Sequence, residues 1–205
     1  MATAARDMLT ATEAAVVANV RVRDVNRMID EHILPSTHYR IDGGRWLRSD
    51  ACAYVCFYVR TAPVLTAEAR NAFIRKMAKP ARKSDMFLIY HVDVDFAPFV
   101  SETDERRAQL ERARKAVTVD PDILGGAPVL KGTRIAVHDI AATITAGTSP
   151  EDLAAAYPGL SSDTIALASL YAEANPIRGR PRKPASLSAD HVVVVERTVP
   201  RRPRW

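Results

Sequence analysis

The chain has 205 residues, of which 47% are hydrophobic and 26% charged, values that predict a globular protein with a buried core. No apolar run approaches the ~18 residues that a membrane-spanning helix needs, and the N-terminal residues lack the apolar stretch of a secretory signal. Two cysteines are too few for a disulfide scaffold, so we expect a cytoplasmic protein that does not contact membranes.

The first sixty residues predict two helices joined by a tight turn. Thr10 or Thr12 can cap a first helix that ends near Ala18. Asn19 suits the left-handed turn that follows, because asparagine tolerates a positive φ. A second helix of about residues 23–31 has apolar residues at helical spacing on one face.

A β-hairpin and a third helix complete this unit. Residues 38–47 alternate in polarity around Asp-Gly-Gly, which predicts a hairpin. Ser49 or Asp50 can cap a helix over residues 51–60. The order of helix, turn, helix, hairpin and helix is that of a winged helix-turn-helix, so we predict a DNA-binding domain over residues 1–60.

The second helix of such a domain enters the major groove. Arginine can bridge guanine and asparagine can bridge adenine, each through two hydrogen bonds. The residues predicted to be exposed and to contact bases or phosphates, including two from the hairpin, are Arg21, Arg23, Asp24, Asn26, Arg27, Arg40 and Arg45. The alternative is a helical hairpin with a solvated charged face, because the net charge of residues 1–60 is only +1.

Residues 61–116 predict a connecting region with a possible dimer surface and no chemical signature. Its predicted elements are a helix over 66–79, strands over 86–90 and 92–100, and a charged helix over 101–115.

Residues 117–175 predict a second small domain, with 2 basic and 7 acidic side chains. Its predicted elements are a hairpin of residues 129–130 with 134–137, followed by helices of about 137–146, 150–157 and 161–174. Ser149, and Ser161 or Ser162, can cap the last two helices, which are close enough in sequence for another helix-turn-helix.

This second domain contains a specific motif. Residues 124–135 read LGGAPVLKGTRI, and residues 157–160 read YPGL. The sequence resembles a bacterial family of small domains with the pattern GGxPVxxGTRI followed by YPxL, which recurs in VapB-type antitoxins. The motif residues are Gly125, Gly126, Pro128, Lys131, Gly132, Thr133 and Arg134.

The segment ATEAAVVANVRVRDVNRMIDEHILP also looks like the helix-turn-helix that precedes this domain in longer antitoxins. The resemblance implies an antitoxin that neutralises a PIN-domain (VapC-like) ribonuclease and represses the operon encoding both. Operator DNA and the ribonuclease are thus the implied partners.

Lys131 and Arg134 are the two basic residues of the second domain, and two interpretations remain open. They can contact a phosphate, or Arg134 can pair with a local carboxylate to hold the hairpin on the helices. The acidic charge of the domain disfavours DNA binding on its own, so we expect a structural or protein-binding module.

Residues 176–205 hold 8 basic and 2 acidic side chains and 5 of the 13 prolines, which is typical of a disordered basic tail. Arg-Gly-Arg-Pro resembles the AT-hook, which binds the minor groove. An arginine can also displace metal from a nuclease's carboxylate cluster, and we favour this toxin-binding interpretation. The residues predicted to bind the toxin are Arg178, Arg180, Arg182, Lys183 and Trp205.

No catalytic constellation is visible in the sequence. Cys52 and Cys56 fall four residues apart on one predicted helix face, which favours core packing over zinc binding. We therefore predict a mainly α protein with short β-hairpins, a non-enzyme without cofactor or metal. We expect an autorepressing antitoxin that acts as a homodimer or in a higher toxin–antitoxin assembly. The alternatives are a stand-alone transcriptional regulator with an AT-hook-like tail, and an interaction scaffold that does not bind DNA.

Overall fold

The computed structural model describes residues 7–77, 86–89, 92–157 and 159–177. This part of the chain is mainly helical with short antiparallel strands, as the sequence predicts. The helices are α1 (Ala11–Ala18), α2 (Val22–Asp30), α3 (Cys52–Arg60), α4 (Ala67–Met77), α5 (Ala97–Ala116), α6 (Val137–Thr145), α7 (Pro150–Ala156) and α8 (Ser162–Ala174). The strands are β1 (Met8–Thr10), β2 (Tyr39–Ile41), β3 (Arg45–Arg48), β4 (Met86–Ile89), β5 (Val92–Asp95), β6 (Val117–Thr118) and β7 (Val129–Leu130). None of the described helices is long and apolar enough to cross a membrane.

Local sequence signals set both ends of α1. Thr10 Oγ1 accepts a hydrogen bond from the Glu13 N–H at 3.3 Å, and the Glu13 carboxylate accepts one from the Thr10 N–H at 2.9 Å. This reciprocal capping box satisfies two N–H groups that a helix start leaves free. The helix ends at Asn19, whose φ of 54° confirms the predicted left-handed turn into α2.

The predicted hairpin forms and belongs to a three-stranded sheet. β2 and β3 pair antiparallel, with Tyr39 opposite Leu47, and Gly43 adopts the positive φ of the turn. On its other side β3 pairs with β1, so that Met8 lies opposite Arg48. β1, which has no signal in the sequence, ties the start of α1 to the hairpin.

The predicted cap of the third helix is wrong. Ser49–Ala51 form a single 3-10 turn, and α3 begins at Cys52 without a side-chain cap. Asp50 instead accepts a hydrogen bond from the Arg48 guanidinium at 3.0 Å. The Arg48 guanidinium is a cationic donor two residues away, and it competes with the backbone N–H groups for this carboxylate.

The predicted strand over residues 92–100 is also wrong beyond Asp95. The Asp95 carboxylate accepts a hydrogen bond from the Ala97 N–H at 3.1 Å, and α5 begins there, with Pro98 in its first turn. Proline favours this position because its missing N–H costs nothing at a helix start. Phe96, which the predicted strand would have included, precedes α5 and is buried in the core.

Two hydrophobic cores hold the described helices together. The first contains Phe57 and Phe73, whose rings lie 4.1 Å apart, and the second contains Ile140 and Leu153. Helix α8 belongs to both cores, because Ile165 lies in the second and Ala174 in the first. The two units are therefore packed together through α8.

The strand pairing of the second unit differs from the prediction. Instead of a hairpin with residues 134–137, β7 pairs with β6, so that Val117 lies opposite Leu130. The expected hairpin is reduced to one bridge between Val129 and Ala136. The chain turns directly after β7. The Leu130 N–H donates to the Ile135 carbonyl at 3.0 Å, so the four residues between them form a tight loop and not the start of a second strand.

The predicted caps of the last two helices are confirmed. Ser149 accepts a hydrogen bond from the Asp152 N–H, and Ser161 accepts one from the Thr164 N–H. Pro150 occupies the first turn of α7, as the sequence indicated.

One ion pair joins the helix-turn-helix to α5 and yields a stability prediction. Glu13 is 8% exposed, and its carboxylate lies 2.6 Å from the Arg114 guanidinium, which is 29% exposed. Arg114→Met should lower the free energy of unfolding by about 3 kcal/mol, because it leaves a buried carboxylate without its cation. Urea denaturation measures this loss. Arg112→Met, which breaks an exposed pair with Asp163, is the matched control and should cost less than about 1 kcal/mol; equal losses would contradict the prediction.

Candidate nucleic-acid interface

The outer face of α2 carries two exposed arginines. Val25, Met28 and Ile29 are fully buried, so the opposite side of the helix faces solvent. Arg23 and Arg27 lie there, one helical turn apart, and neither forms an ion pair with any residue that the structure describes. Two unpaired guanidinium groups are thus available to an anionic ligand at one place.

Asp24, predicted to be exposed, is buried instead. It is 7% exposed, and its carboxylate accepts a hydrogen bond from Arg21 Nε at 3.2 Å. Asp24 lies in the first turn of α2, where a carboxylate also interacts favourably with the helix dipole. This pair stabilises the start of α2 and leaves Arg21 partly neutralised.

Asn26 is half-buried, although the sequence analysis placed it among the exposed residues. Its Oδ1 atom is buried and has no hydrogen-bond partner in the described part of the protein. The side chain would have to turn outward to pair with a base. The unsatisfied oxygen lowers the cost of that turn, because no existing hydrogen bond is broken.

The hairpin is fastened to α2 by an ion pair. Arg45 on β3 donates to both carboxylate oxygens of Asp30, at 3.0 and 2.9 Å. This bidentate arrangement fixes both the distance and the orientation of the two groups. Arg40 on β2 remains largely exposed, 4.0 Å from the exposed Asp42. The hairpin is therefore held beside α2 with one basic side chain towards solvent.

A buried histidine lies beneath the hairpin. His38 is 8% exposed and contacts the Tyr54 ring edge-on, with ring centroids 5.4 Å apart. Burial lowers the pKa of His38, although Asp50 opposes this effect. His38 is thus a core residue and does not add to the basic surface.

The glycine-rich motif forms compact turns in the second unit. Gly125, Gly126 and Gly132 all have positive φ, which side chains rarely adopt. Thr133 Oγ1 donates to the Leu130 carbonyl at 2.8 Å and accepts from the Ile135 N–H at 3.1 Å. The motif residues therefore fix the backbone between β7 and α6.

Other motif residues have different surroundings. The Pro128 carbonyl accepts a hydrogen bond from the Val137 N–H at 3.0 Å. Lys131 and Arg134 are exposed, and Arg134 forms no ion pair with a described carboxylate. The pairing proposed as one alternative for Arg134 is therefore not observed there.

The two cysteines are core residues, as predicted. Cys52 and Cys56 are free thiols and fully buried, and burial raises the pKa of both. Within the described ranges, no three His, Cys, Asp or Glu side chains come together as a metal site. His91 and the side chain of Asp93 lie outside the described residues, as do the predicted toxin-binding residues Arg178, Arg180, Arg182, Lys183 and Trp205.

An apolar groove of about 690 Å³ lies between α6 and α8. Its lining includes Ala142, Ile144, Ala172 and Ile177, of which Ile177 is 71% exposed. His138 Nε2, at the edge of the groove, donates to the Asn175 carbonyl at 2.8 Å and so fixes the end of α8. This groove could not be predicted from the sequence, because it depends on how the two helices pack.

The described geometry defines a mainly helical protein in which a helix-turn-helix with a β-hairpin is packed against a second helical unit. Residues 117–172 match the family described as "Protein of unknown function (DUF433)". The chain is 44% identical over 211 aligned residues to "Uncharacterized protein y4eO" of Sinorhizobium fredii (strain NBRC 101917 / NGR234), covering 97% of this chain and 96% of that protein. The chain therefore belongs to the y4eO family and contains a DUF433 domain. No solved structure matches it.

Proposed function

We propose that the protein is an antitoxin that binds DNA through its helix-turn-helix and represses its own operon. The observation that carries the DNA-binding part is the pair of exposed arginines, Arg23 and Arg27, on the outer face of α2, which form no ion pair with any described residue. A helix-turn-helix inserts this face into the major groove, where arginine side chains contact guanine and phosphate.

Dimer formation is part of this proposal. The net charge of residues 1–60 is only +1, so a single helix-turn-helix neutralises few phosphates. Two copies on a palindromic operator would double the number of contacts. We therefore propose a homodimer on DNA.

The second part of the proposal is inhibition of a PIN-domain ribonuclease encoded in the same operon. It is supported by the resemblance of residues 124–135 to a motif of VapB-type antitoxins. The groove between α6 and α8 adds support, because an exposed apolar surface next to a strongly basic sequence suits a protein partner with an acidic site.

Two measurements on the full chain test the proposal. A mobility-shift assay asks whether the protein binds a duplex taken from upstream of its own coding region. Purification from the native host asks whether a ribonuclease remains bound. If the protein binds the duplex but no ribonuclease co-purifies, the stand-alone regulator is favoured. If a protein co-purifies but the duplex is not bound, the scaffold is favoured.

The ion pair between Asp30 and Arg45 yields a prediction about the hairpin. Asp30→Asn and Arg45→Ala should each weaken binding to the upstream duplex about two- to fivefold, because each releases the hairpin from α2. Fluorescence anisotropy measures both affinities. If Arg45 contacts DNA itself, only Arg45→Ala will weaken binding, and the positioning role will be contradicted.

A further inference from the structure

A tight loop of the DUF433 domain presents two basic side chains that form no ion pair with a described carboxylate. Lys131 and Arg134 lie on either side of Gly132 and Thr133, and both are exposed. The loop backbone is held by hydrogen bonds from the Leu130 N–H to the Ile135 carbonyl and from the Thr133 N–H to the Leu130 carbonyl, each 3.0 Å long. The loop is thus rigid, while its two cationic groups are free.

A third exposed cation, Lys115, lies at the end of α5, next to the residue that the loop contacts. The Lys131 N–H donates to the Ala116 carbonyl at 2.9 Å, which brings the loop against the end of that helix. Lys115, the preceding residue, is exposed. Among the residues that the structure describes, no carboxylate lies within ion-pair distance of Lys115, Lys131 or Arg134. We call these three residues the loop cluster.

The lack of ion pairs distinguishes the loop cluster from the neighbouring arginines of α5. Arg107, Arg112 and Arg114 all pair with carboxylates. The DUF433 domain is moreover acidic overall, so its only two basic residues would find partners easily if their role were structural. Their arrangement leaves them available to a ligand with negative charge.

Helix α5, which carries Lys115 in its last turn, packs against α1 of the helix-turn-helix. Arg114, adjacent to Lys115, contacts Glu13 in the first turn of α1 at 2.6 Å. In a helix-turn-helix bound to DNA the first helix crosses the phosphate backbone while the second enters the groove. Lys115 follows Arg114 on α5 and is exposed, so we expect its ammonium group to reach that backbone.

We infer that Lys115, Lys131 and Arg134 form a second DNA contact, which binds backbone phosphates beside the site occupied by α2. This inference rests on the proposed function, because it needs DNA on the helix-turn-helix. The loop cluster would supply affinity without sequence preference, since phosphate contacts position a protein and base contacts specify the sequence. It would also compensate for the low net charge of residues 1–60.

The salt dependence of binding to a random-sequence 30-base-pair duplex tests the inference. Each phosphate contact contributes about 0.9 to the slope of log K against log salt concentration. The triple variant Lys115→Gln, Lys131→Gln, Arg134→Gln of the full chain should therefore reduce that slope by about 2.7, and should weaken binding at least about tenfold at low salt. Its melting temperature should not change, because the three side chains are exposed.

Matched variants separate the possible outcomes. Arg75→Gln removes an exposed charge on α4 and should leave the slope unchanged. If Arg23→Ala, Arg27→Ala lowers the affinity while the loop-cluster variant does not, the second contact is contradicted and the proposed function stands. If the full chain does not bind the duplex, the proposed function fails and this inference fails with it. An unchanged slope together with loss of a co-purifying protein would assign the loop cluster to an acidic protein partner and overturn the inference.

Discussion

Replacing Arg23 and Arg27 by alanine is expected to lower the affinity for the upstream duplex by at least about 30-fold. Each guanidinium that bridges a base contributes about 1–3 kcal/mol, and 1.4 kcal/mol corresponds to tenfold in affinity. Neither side chain is engaged elsewhere in the described structure, so the loss of affinity will reflect lost DNA contacts. Fluorescence anisotropy with the double variant measures this loss of affinity.

Two further variants make this result specific. Arg112→Ala removes an exposed arginine of α5 and should have little effect on affinity. Asn26→Ala should leave the affinity for random DNA unchanged but reduce the preference for the upstream sequence, since asparagine reads adenine rather than phosphate. Unchanged affinity of the Arg23, Arg27 double variant would remove α2 from the DNA interface.

The parts of the fold that the sequence predicts are those with local causes. The capping box of Thr10 and Glu13, and the left-handed turn at Asn19, depend on residues within a few positions of one another. The hairpin likewise follows from its own turn residues, with Gly43 at positive φ. Each of these features can therefore be predicted without knowledge of the tertiary packing.

The parts that the sequence does not predict depend on distant partners. β1 has only three residues and exists because β3, far along the chain, pairs with it. Phe96 fits a strand pattern by its spacing, but β5 ends at Asp95, and Phe96 is a buried residue that leads into α5, which has Pro98 in its first turn. Hydrophobic periodicity cannot distinguish these cases, because it records the face of a residue but not its partner.

The same division applies to the candidate site. Arg23 and Arg27 are predictable as exposed, because they lie opposite the apolar face of α2. The burial of Asp24 and the hydrogen bonds from Arg45 to Asp30 depend on tertiary packing, which the spacing of residues in the sequence does not reveal. The position of Lys131 beside the end of α5 likewise follows from the pairing of β6 with β7. Compared with the expectation from the sequence, the tertiary structure therefore leaves fewer arginines available to bind a ligand.

A chain that ends at Ile177 is expected to keep DNA binding and lose ribonuclease inhibition completely. Both described cores lie between Leu9 and Ala174, so removal of the later residues should leave the helices intact. The removed residues carry the arginines and the lysine that we propose to bind the carboxylate cluster of the toxin. One purified sample of the truncated protein, assayed for upstream duplex binding and for inhibition of the co-purifying ribonuclease, measures both activities.

The two proposed roles of the removed residues predict opposite results. If they bind the minor groove, truncation will lower DNA affinity and flatten its salt dependence, while inhibition will be undiminished. If they bind the nuclease, Arg180→Ala in the full chain should already reproduce part of the lost inhibition, because removing a buried cation leaves acidic partners unpaired. Full inhibition by residues 1–177 would contradict the toxin-binding role and would place the inhibitory contact on the described surface, where the groove between α6 and α8 could be tested by Ile177→Glu.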